Sequence, residues 1–406
     1  MARVVQKFGG TSLADITLIR NAARRVVAEV KAGNEVAVVV SAMAGTTDQL
    51  VAWADETAGR SDSAEHDGIV SSGEQISAGL FALAVESLGI PARSWTGWQV
   101  PVMTDGNHGR ARIQKIDATA IARDLEAGTV AVLAGFQGIG PDRRVTTFGR
   151  GGSDTSAVAL ASALNADRCD IFTDVEGVFT ADPRIVATAR KLDRITYEEM
   201  LELASQGAKV LQTRSVALAM QHRVRLQVLS SFLDVPGTLV VGEEEIMEQE
   251  MVSGVAYSRD EAKITLVKVP DRPGVAAGIF GPLADADINV DMIVQNVSED
   301  GRTTDLTFTV TRGDFSRAQE VLEAKRKDLN YQSLIPDSDV SKISVIGVGM
   351  RSHAGVAQRM FQTLSEKGIN IQVISTSEIK VSVLIAEKYT ELALRALHTA
   401  YGLDAS

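Results

Sequence analysis

The chain has 406 residues, room for about two or three domains, and its 45% hydrophobic and 23% charged content excludes wholesale disorder. Its formal net charge of −11 provides no basic footprint for nucleic acid, so any anionic ligand has to find local positive charge. The single cysteine, Cys169, excludes an internal disulfide framework, and the scattered histidines show no zinc-ligand spacing. No apolar run is expected to approach the roughly 18 residues of a bilayer span, and the cytoplasm is the expected setting.

The first predicted element is the strand RVVQKF, followed by GGTSL. Lys7 beside Gly9 and Gly10 suits a phosphate, because glycine admits close backbone N–H groups and lysine adds charge. The stretch is not a Walker A loop, which needs a further Gly-Lys. The structural alternative is a strand-to-helix turn with Thr11 or Ser12 as helix cap.

Further strands, EVAVVVSA (Glu35 to Ala42), TVAVLAGF (Thr129 to Phe136) and RCDIFTDV (Arg168 to Val175), are apolar almost throughout, as strands covered on both faces are. Ala-rich helical segments alternate with them, TSAVALASALNA (Thr155 to Ala166) among them. The expectation is an α/β domain with a largely parallel sheet sandwiched by helices and a ligand crevice at the strands' carboxyl ends.

In SAMAGTTDQL, Thr46 or Thr47 is a possible N-cap, and in VSSGEQ, Glu74 follows Ser71 at capping-box spacing. The densest signal is TTFGRGGSDTSAVALA. Arg150, Gly151, Gly152, Ser153 and Asp154 stand where a helix should begin, so backbone N–H groups, a guanidinium and a carboxylate converge, and Arg150 suits a substrate carboxylate. Against this stands a plain glycine turn capped by Ser153 or Asp154. TDVEGVFTADPR follows a strand with acids and turn residues, and Lys209 lies in SQGAKVLQ.

Beyond an acidic junction, GEEEIMEQEM, the chain repeats itself. The segment Lys263 to Asn296 aligns with Lys342 to Ser377, each running strand, glycine-started helix, strand. The first copy is complete in the ferredoxin-like βαββαβ order. The second lacks a last strand, which VSGVAYS (Val252 to Ser258) is expected to supply. The expected domains are 1–242, 252–340 and 341–406.

Taken in order, KFGGTS, SAMAGTTD, SSGEQ, TTFGRGGSD, TDVEGVFTADPR and GAKVL, followed by paired repeats, closely resemble the aspartate kinases over essentially the whole chain. Phe148 departs from the leucine usual in that glycine loop. The resemblance implies an amino-acid-kinase fold with two ACT regulatory domains, transferring the γ-phosphoryl group of Mg-ATP to the side-chain carboxylate of L-aspartate. It implies phosphoryl and nucleotide contacts from Lys7, Phe8, Gly9, Gly10, Lys209 and Val210, with Asp154 holding the lysines. Thr173, Asp174, Phe179, Asp182 and Arg184 would line the nucleotide. Thr47, Glu74, Arg150, Gly151, Gly152 and Ser153 would bind aspartate, with Glu74 on its α-ammonium.

Magnesium is expected with ATP, and no protein-bound metal or tightly held cofactor is expected. The resemblance also implies end-product control by lysine, threonine or both, through Asp271, Gly274, Ala276 and Gln295 in the first repeat and Asn370, Ile371 and Glu378 in the second. It implies at least a dimer, or an α/β assembly if Met247 or Met251 is an internal start. Sister kinases of the fold and an inactive amino-acid sensor are the competing expectations; the length leaves no room for an appended homoserine dehydrogenase.

Overall fold

The strand Arg3–Phe8 lies inside an eight-stranded sheet whose order is Arg194–Thr196, Thr238–Val241, Leu226–Ser230, Arg168–Thr173, Arg3–Phe8, Glu35–Val40, Val130–Ala134, Ala92–Trp95. The computed structural model describes residues 1–59, 63–206, 210–246, 251–297, 301–353 and 355–404. Lys209 and Met247 lie outside the described residues. The strands from Leu226–Ser230 to Ala92–Trp95 are parallel; Thr238–Val241 is antiparallel to its neighbour Leu226–Ser230.

The helices Ile16–Lys31 and Ser72–Glu86 bury Val26, Phe81 and Val85 against Val36, Val38, Val40 and Val132 on one face. Helix Gly152–Ala163 packs against the central strands, with every residue from Gly152 to Ala161 buried. A helix so enclosed has no polar stripe to show in sequence, which is why it reads as small and apolar all round. The 23-residue run Ala64–Glu86 proves long and apolar enough to cross a bilayer, against expectation, but more than half of that stretch is buried inside the fold. It also carries Asp67 and Glu74 inward.

A second, four-stranded sheet, Ile113–Ile116, Val102–Thr104, Gln137–Ile139, Val145–Thr147, leads into the glycine loop. Its strands of three or four residues are too short to carry a legible alternation. These elements form the first compact unit: Met1–Val178, Lys191–Ala204 and the described residues of Lys209–Met247.

The second unit holds two four-stranded sheets. One is ordered Val290–Val297, Thr303–Val310, Ala262–Pro270, Ser333–Asp337; the other is Gly254–Ser258, Val340–Ile346, Lys380–Ala386, Ile371–Thr376. Gly254–Ser258 pairs antiparallel with Val340–Ile346, Val255 opposite Val345, in the place that Ser333–Asp337 takes in the first sheet. Helices Val275–Asp285 and Val356–Glu366 begin after Gly274 at φ 93° and Gly355 at φ 96°, so both copies use the same left-handed glycine start.

The division differs from the sequence expectation at two places. Phe179–Arg190, and the described Ser205 and Gln206, fold with the second unit, not with the residues before 242. Val255 N–H donates to Thr180 O at 2.8 Å, Thr180 Oγ1 lies 2.8 Å from buried His398 Nε2, and Thr188 Oγ1 donates to Asp404 Oδ1 at 2.6 Å. Backbone and side-chain bonds of these kinds draw the segment into the second unit's core, where Ala181 and Val186 are buried.

Candidate active site

The parallel strands end together, and the ladder steps across their carboxyl ends: Ser41 N donates to Phe8 O at 3.1 Å, Gly135 N to Val40 O at 3.0 Å, and Ser231 N to Thr173 O at 2.8 Å. Lys7 lies near this edge. Its Nζ stands 2.5 Å from Asp154 Oδ1, and both side chains are only about one-tenth exposed. A Cβ at Gly9 would sit 3.5 Å from that ammonium, and one at Gly10 would sit 2.9 Å from Ala42 O. The glycine pair therefore keeps space open beside the lysine and lets two loops close on each other.

The opening hydroxyls are not caps. Thr11–Leu13 forms a single 3₁₀ turn, and the helix beyond is capped by Asp15, whose Oδ1 accepts from Leu18 N at 2.8 Å. Ser12 Oγ instead meets Ser231 Oγ at 2.5 Å. Phe8 is fully buried, stacked on Phe172 at 4.6 Å, so its ring serves the core and only its backbone is left for a ligand.

Glu74 also departs from its cap. Ser71 is itself helical, and its Oγ donates to Gly68 O at 3.1 Å. Glu74 Oε1 accepts from Ala42 N at 3.0 Å, while its buried Oε2 has no partner among the described residues. Burial pushes the carboxyl up to about 7, with the Ala42 amide pulling the other way. Gly73 makes the approach possible, because a Cβ there would meet Ala42 Cβ at 2.8 Å. Nearby, helix Thr46–Ala58 starts after Gly45 at φ 80°; neither Thr46 nor Thr47 caps it, and both hydroxyl residues lie in its half-buried first turn.

The glycine loop turns at Gly151, at φ 71°, with no side-chain cap; Ser153 and Asp154 are therefore first-turn residues and not caps. Gly151 is also forced by space, since a Cβ would overlap the Gln212 side chain at 2.0 Å, and Gly152 packs on Phe136 and Phe148. Ser153 is buried with its Oγ against Gly135, and Arg150 is exposed at the turn. Phe148, the departure from the usual leucine, fills a small cluster with Val102 and Ala111.

Two residues that sequence reasoning missed hold this loop. Asp67 is wholly buried, and its carboxylate accepts from Thr147 N at 3.0 Å, Thr147 Oγ1 at 2.5 Å and Gly109 N at 3.1 Å, with His108 Nδ1 at 2.8 Å. Arg214 donates to Phe148 O at 3.0 Å and Ala111 O at 2.7 Å. Neither has a sequence signal: Asp67 reads as an ordinary helix acid, and its tie to Thr147 spans 80 residues.

Of the expected nucleotide residues, Thr173 ends its strand at the same edge, with Oγ1 on exposed Asp174 Oδ1 at 3.1 Å. Val210 is half-buried in the turn before helix Thr213–His222. Phe179, Asp182 and Arg184 belong to the second unit. There Arg184 Nη2 pairs with Asp182 Oδ2 at 2.7 Å and holds that carboxyl below its ordinary value.

The expected effector residues take different places in the two repeats. Asp271, Gly274 and Ala276 are exposed around a helix start and Gln295 is exposed on the following strand. In the second copy Ile371 begins the corresponding strand and Asn370 immediately precedes it, and Glu378, exposed after it, pairs with Arg351 at 3.4 Å.

A buried lysine–carboxylate pair, a glycine pair and a helix-starting glycine loop on a parallel sheet's carboxyl edge define a kinase of small molecules. Residues 2–230 match the amino acid kinase family, and residues 263–330 and 343–401 each match the ACT domain. The chain is 54% identical over 406 residues to an aspartate kinase of Stutzerimonas stutzeri (strain A1501), covering 100% of this chain and 98% of that one. It is 50% identical over 408 residues to the aspartokinase of Mycobacterium bovis, covering 99% and 97%. The crystal structure of E. coli aspartokinase III in complex with aspartate and ADP, in its R-state, aligns with a TM-score of 0.82 at 27% identity, covering 98% and 99%. The same enzyme with lysine and aspartate, in its T-state, aligns at 0.76 and 28%, covering 98% of each chain. The chain belongs to the aspartate kinases. It is a phosphotransferase with an amino acid kinase domain and two ACT domains that fit end-product regulation.

Proposed function

We propose that the carboxyl edge holds L-aspartate and Mg-ATP so that a side-chain carboxylate oxygen of aspartate attacks the γ-phosphorus. The bond to the β-phosphate oxygen breaks, and 4-phospho-L-aspartate and ADP leave. The task is positioning and charge stabilisation: the Lys7 ammonium and the Gly9 and Gly10 amides neutralise the transferring phosphoryl group, and Asp154 keeps Lys7 in place. Lys209 serves the nucleotide phosphates, and Thr173, Asp174 and Val210 line the nucleotide.

The observation that carries the aspartate half is the unpartnered Oε2 of Glu74. A carboxylate oxygen buried without a donor is costly and is satisfied by a substrate ammonium. Arg150 takes the α-carboxylate, with Gly151, Gly152, Ser153 and Thr47 completing the wall. Glu74→Gln tests this: the amide keeps the shape and loses the charge, so KM for aspartate rises at least tenfold while KM for ATP holds. An unchanged aspartate KM would remove Glu74 from the site.

The solved complexes of E. coli aspartokinase III with ADP and with lysine support ATP as co-substrate and lysine as an effector, with threonine as the alternative or joint effector. The effector residues are Asp271, Gly274, Ala276, Gln295, Asn370, Ile371 and Glu378. Inhibition needs an effector that favours the inactive state over the active one. The enzyme acts in the cytoplasm as at least a dimer, or as an α/β assembly if Met247 or Met251 starts a second product. It opens the route to lysine, threonine and methionine.

A further inference from the structure

Helices Gly152–Ala163 and Thr213–His222 pack together in the first unit, and with the loop through Asn107 and Ile113 they enclose an open cavity of about 690 Å³. Arg112 and Arg214 face it together with Asn107, Thr155 and Gln221, and Arg110 also lines it. None of these side chains has a part in the aspartate or nucleotide assignments above.

Arg112 and Arg214 bring two guanidinium charges close together here. Arg214 spends two donors on the Phe148 and Ala111 carbonyls, which accept hydrogen bonds but carry no net charge. Burial first, and then the neighbouring Arg112 charge, hold the Arg214 guanidinium below its ordinary value. One carboxylate, Asp105, stands near the two guanidinium charges; it accepts from Arg112 N at 3.0 Å, Asn107 N at 3.2 Å and Asn107 Nδ2 at 2.9 Å and offsets at most one of them. The guanidinium of Arg112 makes no ion pair among the described residues. In a chain of net charge −11, two like charges gathered in one concavity call for an anion.

We propose that this cavity is a second anion site, taking a ligand that carries two or more linked phosphate groups. Guanidinium forks match phosphate oxygens bidentately, two of them suit two phosphates, and the amides of Asn107 and Gln221 supply orienting donors. The volume exceeds what a single phosphate fills and lies within the range of small-molecule sites. Because Arg214 also holds the Phe148 carbonyl, two residues before Arg150, an occupant rests directly against the support of the glycine loop.

Isothermal titration of inorganic pyrophosphate into the full-length protein, its Arg112→Glu variant and its Lys7→Ala variant tests the site. Arg112→Glu is expected to weaken binding at least tenfold with an unchanged circular dichroism spectrum, and Lys7→Ala to leave a binding equivalent intact. Gln221→Ala provides a milder second variant, with a loss of about threefold expected. Pyrophosphate binding that Lys7→Ala abolishes, or that neither Arg112→Glu nor Gln221→Ala weakens, would overturn the proposal.

Discussion

Lys7 Nζ lies 2.5 Å from Asp154 Oδ1, joining the end of the central strand to the first turn of the helix behind the glycine loop. Both side chains are nearly buried, so the pair is screened little by solvent and each partner depends on the other. Asp154→Asn is expected to lower kcat by about a hundredfold, by freeing the Lys7 ammonium from its position, with a smaller change in either KM. Steady-state kinetics with both substrates varied checks this; an effect confined to KM would mean that Asp154 acts only in binding.

Glu74 makes aspartate binding sensitive to pH. Its carboxyl is raised to about 7 by burial, and only the ionised form attracts an ammonium. KM for aspartate should therefore fall about tenfold from pH 6 to pH 8, and Glu74→Gln should flatten the profile. The stability linkage has a definite sign. The folded state keeps this proton over pH 4.5 to 7 while the unfolded chain loses it, so the ligand-free fold loses stability as pH rises through that window. Added aspartate should raise Tm more at pH 8 than at pH 5.5; equal shifts would count against the assignment.

Asp67 ties helix Ala64–Val70 to the strand entering the glycine loop. Asp67→Ala leaves the Thr147 and Gly109 amides buried without their acceptor and should cost ~3 kcal/mol of stability. Asp67→Asn keeps the shape and should fold, with a several-fold rise in aspartate KM and little change for ATP. Chemical denaturation and kinetics on the two variants decide it; a wild-type aspartate KM in Asp67→Asn would make the residue purely structural.

Gln295 projects from the strand that follows the glycine-started helix of the first repeat. Gln295→Ala should raise the half-inhibitory concentration of lysine or threonine at least fivefold and leave uninhibited turnover unchanged. Unchanged inhibition would move the effector site elsewhere.

The layers of the fold were legible wherever burial is two-sided. Glu35–Val40 carries an almost continuous apolar run because helices cover both of its faces, Arg168–Thr173 shows it less fully because Asp170 interrupts it, and the doubled ACT pattern was visible as internal repetition. Capping was not legible. Thr11, Ser12, Thr46, Ser71 and Ser153 all look like caps, yet Asp15, Gly45 and Gly151 occupy those places where a cap is needed. Hydroxyl residues near a site do other work, and spacing alone does not separate the two uses. The supports of the glycine loop, Asp67 and Arg214, were hidden because their partners are backbone groups remote in sequence.

The most direct test of the account is hydroxylamine-trapped acyl phosphate formation from Mg-ATP and L-aspartate, in the wild-type chain and in Lys7→Ala. The account predicts aspartate-dependent hydroxamate from the wild type and a rate at least a hundredfold lower from a folded Lys7→Ala. A near-normal rate in Lys7→Ala would contradict the placement of phosphoryl transfer beside this lysine.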